Sequence, residues 1–125
     1  MASVNYRLPW PPSINAYWAT GTSSKHGVPM TYLTHRAKQF RVDVWAVVWQ
    51  QHNGPPKKLT GRLAVLIELS AGTKRKYDID NFCKGTLDAL MHAGVFEDDE
   101  LIDELIVRRL PVKPPGCCDV TVCEV

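Results

Sequence analysis

The eleven residues KRKYDIDNFCK, Lys74 to Lys84, crowd three cations, two carboxylates one residue apart and a further lysine into one short stretch. Carboxylates so close repel, and each that ionises makes the next harder to ionise. A hard divalent cation is one way to relieve that conflict. Magnesium takes few carboxylates, keeps several waters and binds substrate phosphates. Asp78, Asp80 and Asp99, beside the basic run Lys74, Arg75 and Lys76, offer that combination.

Plainer chemistry explains part of the same pattern. If a helix starts near Asp78, then Asp78 and Asp80 occupy its first turn, where free amides and the macrodipole favour negative charge. Lys84 follows Asp80 by one turn on the same face, and such a surface pair contributes roughly a few tenths of a kcal/mol. An EF-hand is excluded, because DIDNFCKGTLDA has Cys83 where the sharp-turn glycine belongs and Ala89 where the bidentate glutamate belongs. Cys83, Cys117, Cys118 and Cys123 lack C-x-x-C spacing, and neighbouring Cys117 and Cys118 point to opposite faces of a strand. Reduced structural thiols are expected.

These groups need elements to position them. SVNYRL reads as a first strand, stopped by PWPP, where proline removes amide donors and restricts the residue before it. A loop or irregular hairpin follows to about Thr31. Thr34 is a fair N-cap for a long helix with Ala37, Phe40, Val44, Val47 and Val48 at helical spacing, and NGPP ends it. LTGRLAVLIELS is apolar enough for a strand covered on both faces. A second helix capped by Asp78 carries Ile79, Phe82, Cys83, Leu87 and Leu90 on one face until Gly94. LIDELIVRRLPV and CCDVTVCEV read as two further strands, joined by KPPG as a turn. The fold class expected is α+β: one domain over residues 1–125, with a mixed sheet covered by two main helices.

A chain of 125 residues suits a single core. With 45% hydrophobic residues, no apolar run near ~18 residues and no signal-peptide layout at the N-terminus, a cytoplasmic protein without membrane contact is expected. The net charge of +2 hides segregation: six of thirteen acids, Glu97, Asp98, Asp99, Glu100, Asp103 and Glu104, fall within eight residues. Elsewhere the chain is basic, which suits a polyanion; on charge alone a solvated acidic loop is the alternative, and the one that charge favours.

The order LPWPPSIN, then YDIDNFCKGTLDALMHAGVFEDD, then VRRLPV resembles the RusA-type crossover junction endodeoxyribonucleases, the Holliday junction resolvases, over nearly the whole chain. The resemblance implies a magnesium-dependent nuclease site of Asp78, Asp80, Asp99 and Lys84, with the three aspartates as metal ligands and Asp98 as a neighbour. It implies phosphate contacts from Lys74, Arg75 and Lys76, and a turn, Pro11, Pro12, Ser13 and Asn15, that either brings Asn15 to the DNA or rigidly links strands. Family members often keep basic residues up to the first aspartate, whereas this chain has Tyr77, which either packs or stacks on a base.

The implied substrate is a DNA four-way junction cut by paired nicks, and the implied assembly is a homodimer, whose two-fold symmetry supplies matched sites. Trp45 and Trp49 offer one candidate interface, with core packing as the alternative. Lys57, Lys58, Arg108, Arg109 and Lys113 are further candidates for backbone contacts, with Arg108 and Arg109 on opposite strand faces. Non-catalytic nucleic-acid binding, or a related metal nuclease acting on flaps, forks or RNA, would use the same residues.

Overall fold

Period-two alternation builds the first strand, β1 (Ser3–Pro9): Tyr6 and Leu8 turn inward, Asn5 and Arg7 outward. The computed structural model describes residues 3–22 and 27–125. After the proline run, β2 (Trp18–Thr22) and β3 (Pro29–Leu33) pair antiparallel with Trp18 opposite Leu33, so the irregular hairpin extends two residues past Thr31. His26 lies outside the described residues.

The long helix, α1 (His35–His52), has the expected ends. The Thr34 hydroxyl accepts the Ala37 amide, and Asn53 takes the left-handed conformation at φ 55°, with its amide bonded to the Gln50 and Trp49 carbonyls. Ala37, Phe40, Val44 and Val48 form its buried stripe. Trp49 is half-buried and donates its indole N–H to the Ala93 carbonyl at 3.0 Å, whereas Trp45 lies against it and stays 42% exposed. Of this pair, Trp45 is the one presented outward.

The main sheet has four strands in the order β1, β6 (Cys117–Glu124), β4 (Leu63–Ser70), β5 (Ile102–Arg109), with β4 and β5 parallel and the other pairs antiparallel. The mixed sheet and two helices match the expected α+β class. Two details differ. Leu59 forms only an isolated bridge to Phe96, so β4 begins at Leu63. One β4 face, Leu63, Val65, Ile67 and Leu69, is fully buried, while Ala64, Leu66 and Glu68 on the other are only half-covered. The cause is that the buried face alone joins the core built with Phe40, Val44, Val48, Leu87 and Leu90 of the helices.

Nor do β5 and β6 form a hairpin. β6 lies between β1 and β4, so the turn at Lys113–Gly116, closed by the Gly116 amide on the Lys113 carbonyl at 2.8 Å, carries the chain back across β4. All four cysteines are free, and burial pushes the Cys118 thiol up to about 12.

Candidate active site

The second helix starts later than its apolar pattern suggests. Asp78 precedes a 3-10 turn, Ile79–Phe82, and makes no side-chain cap bond; the regular helix α2 (Cys83–His92) begins at Cys83. The expected capping role of Asp78 is therefore corrected. Its carboxylate and that of Asp80 are exposed, and no side chain among the described residues bonds to either. Two adjacent carboxylates left unpaired beside a helix start are available to a cation or a phosphate-bound metal.

The N-terminal turn packs against this region. Ser13 caps a short 3-10 turn, Ile14–Ala16, by accepting the Ala16 amide, and Pro12 approaches α2 so closely that a Cβ on Gly85 would stand 3.0 Å from its Cγ. Glycine at position 85 lets the PPSIN segment sit directly on α2. Asn15, in the middle of that turn, is exposed.

On α2, Lys84 reaches the Asp88 carboxylate at 3.2 Å. Asp88 is buried, and its Oδ2 also accepts the Tyr17 hydroxyl at 2.6 Å; Arg41 in turn donates to that hydroxyl at 3.1 Å. Burial, with the Asp88 bond adding to it, pushes the Tyr17 hydroxyl up to about 12, so it remains a donor at any physiological pH. Asp88, Tyr17 and Arg41 were not singled out from sequence. The available signal was a carboxylate at i+4 from Lys84, inside the apolar run Leu87, Ala89 and Leu90.

Asp99 opens the 3-10 turn that leads into β5. Its carboxyl is raised, first by partial burial and then by its hydrogen bond to Asp98, while Lys84 pulls it down. Asp98 moves the other way, lowered by the Glu100 amide and by Asp99. Lys84 therefore acts electrostatically on Asp99 while paired to Asp88. Among the described residues, no three His, Cys, Asp or Glu side chains gather closely enough to hold one metal ion. Lys84 and Asp88 are brought into contact, with Asp99 within range of their charge; Asp78, Asp80 and Asp99 are not drawn into a tight cage.

Lys74, Arg75 and Lys76 are exposed on the loop between β4 and the 3-10 turn. Arg75 and Lys76 edge a cavity of about 340 Å³ that also takes in Trp10, Tyr77 and Phe82. Tyr77 packs edge-on to Trp10 at 5.3 Å, and Arg109 covers its ring at 4.3 Å while donating to its carbonyl at 2.8 Å. Of the other basic candidates, Lys113 joins this end of the sheet through its amide bond to the Ala71 carbonyl. Lys57 and Lys58 precede Leu59 at the opposite end.

Comparison with known proteins bears on the same residues. The family described as Endodeoxyribonuclease RusA matches residues 9–118. A crossover junction endodeoxyribonuclease of Enterobacteria phage HK97 is 35% identical over 116 residues, covering 93% of this chain and 89% of the relative. A crossover junction endodeoxyribonuclease RusA of Escherichia coli O139:H28 is 28% identical over 124 residues, 99% of this chain and 97% of that protein. The counterpart from Enterobacteria phage 82 is 27% identical over the same length and coverage. The matched span runs from the proline turn through the unpaired carboxylates to the buried start of β6, and on it this chain belongs to the RusA endodeoxyribonuclease family.

Proposed function

We propose that this chain is a magnesium-dependent, structure-selective DNA endonuclease that resolves four-way junctions by paired symmetric nicks, in a bacterial or phage-infected cytoplasm. One observation carries the reading: Asp78 and Asp80 stand exposed and unpaired among the described residues, just before the helix whose Lys84 charge also reaches Asp99.

Asp78, Asp80 and Asp99 would hold the ion, since their carboxylate oxygens are the hard donors that magnesium takes. Bound there, magnesium supplies Lewis acidity and an activated water. Lys74, Arg75 and Lys76 hold flanking phosphates by charge, and Asn15 approaches the same strand from the turn on α2. Lys84 offers an ammonium to charge that grows on the scissile phosphate or its leaving oxygen. A two-fold homodimer provides the matched second site that paired nicking needs.

The test compares Asp78→Asn with the unaltered chain on a synthetic four-way junction. Junction binding retained with nicking abolished is expected; nicking at the unaltered rate overturns the assignment. Equal cutting of a junction, a flap and a linear duplex would instead identify a nuclease without junction selectivity.

A further inference from the structure

β5 is an outer strand of the main sheet: it pairs with β4 on one side and, among the described residues, with no strand on the other. Its side chains are open on both faces, with Leu105 on the core side 41% exposed and Ile106 on the outer side 40% exposed. A long free edge carrying apolar residues is a template for another strand, and proteins normally blunt or cover such an edge.

The sequence of this strand, IDELIVRR, is its own electrostatic complement: acids near one end, bases at the other, apolar residues between. Antiparallel pairing of two copies about Ile106 sets Glu104 opposite the partner's Arg108, Asp103 opposite the partner's Arg109, and Leu105 opposite the partner's Val107. Sliding the register by two residues one way places Glu104 against the partner's Ile106; sliding it the other way places Ile106 against the partner's Arg108. A one-residue slip faces Glu104 with the partner's Val107 and inverts one sheet. Only the register centred on Ile106 matches every residue by charge or by apolarity.

The pairing also answers an imbalance within one chain. Asp103 already binds Arg62, and Arg109 is held on Tyr77. Glu104, by contrast, lies beside Ala64 in the sheet with no cation bonded to it among the described residues, while exposed Arg108 lies beside Glu68. The outer face next to Ile106 carries a small cavity of about 120 Å³ lined by Ala64, Leu66, Thr121 and Cys123. That apolar surface continues the seam.

We propose that the free edge of β5 is the homodimer seam, two copies pairing antiparallel about a two-fold axis through Ile106. It gives the dimer above a location, and rests on that reading only for its role in paired nicking. Because directly opposed residues share a sheet face, this register puts the helices of both copies, and hence both Lys84 side chains, on one side of an eight-stranded sheet.

Sedimentation of the full chain tests it through a charge swap. Glu104→Arg and Arg108→Glu, both on exposed positions, should each weaken the dimer about 10-fold, because each sets like charges opposite one another twice across the axis. The combined Glu104→Arg, Arg108→Glu chain should recover most of that loss. Ile106→Cys should give a disulfide-linked dimer under mild oxidation that the unaltered chain, with its own four thiols, does not give. A dimer untouched by the single swaps, or a double swap that stays folded yet does not recover, overturns the seam. Paired nicking that continues in that case leaves the nuclease reading standing.

Discussion

The Lys84 ammonium lies 3.2 Å from the carboxylate of Asp88, one turn further along α2, and the two ends of the contact differ: the lysine side chain is 44% exposed and the aspartate 8%. Such a half-exposed pair adds little to stability. Its effect is directional, since a fixed buried carboxylate tethers an accessible cation. Asp88→Asn should therefore reduce nicking by up to ~100-fold through misplacement of Lys84, with junction affinity nearly unchanged. Single-turnover rates set beside binding isotherms separate the two quantities, and an equal loss in both would count against a positioning role.

Tyr17→Phe removes the hydroxyl that donates to Asp88 at 2.6 Å. Loss of a buried hydrogen bond to a charged acceptor should cost about 1.5–3 kcal/mol in urea unfolding. There is an alkaline signature as well. The Tyr17 hydroxyl is raised from 10.0 to about 12, so the protonated form is favoured by folding; the associated stability is complete below pH 10 and disappears as pH climbs through about 12. In Tyr17→Phe the alkaline fall in stability should shrink, the remainder belonging to Tyr6 and the Cys118 thiol, both raised by burial to about 12, and to the Cys83 thiol, which burial also raises.

Features fixed by neighbours along the chain were legible in the sequence; those fixed across the fold were not. Thr34 and Asn53 bound α1 where expected because caps are local backbone chemistry. Asp78 misled for a related reason: its residue type fits a cap, yet the backbone winds a 3-10 turn after it and frees its carboxylate. The insertion of β6 between β1 and β4 is a long-range choice that two successive strand patterns do not encode. In the site, the central D-x-D-N motif stood out by its crowded charge. Asp88 did not, because one acid in an apolar stripe is outweighed until Tyr17, 71 residues away in the chain, is seen to bond it.

Asp98→Asn should move the acid limb of the pH–rate profile to lower pH. Asp99 is held above the ordinary carboxylate range by burial and by its bond to Asp98, so it stays protonated further up the pH scale than a free aspartate. A metal-binding carboxylate must ionise, and replacing Asp98 removes one of the two main influences opposing that. Profiles at fixed magnesium would show the displacement; an unmoved limb would mean that Asp99 does not titrate in the rate-determining complex.

Gly72→Ala should disturb the basic loop from its base. A Cβ at this position would collide with the Pro115 carbonyl oxygen and press on the Gly116 amide, both backbone atoms that cannot swing aside. Overpacking of this kind costs about 1–3 kcal/mol, and here the strain falls between the loop bearing Lys74–Lys76 and the turn before β6. Thermal unfolding should show the lost stability. Junction affinity should fall with it, although no charge has changed.

The basic residues divide by salt dependence. Each phosphate contact contributes about 0.9 to the slope of log affinity against log salt, so replacing exposed Lys74, Arg75 and Lys76 together by alanine should flatten it by about 2.7. Arg109 carries the same formal charge but is already committed, its guanidinium covering the Tyr77 ring at 4.3 Å and bonded to the Tyr77 carbonyl. Arg109→Ala should leave the slope nearly unaltered while slowing nicking, because the residue it releases is the one immediately before Asp78. Titrations in the Asp78→Asn background keep the junction intact during the measurement. A slope that drops by about 0.9 on losing Arg109 would show that the guanidinium leaves Tyr77 to contact a phosphate.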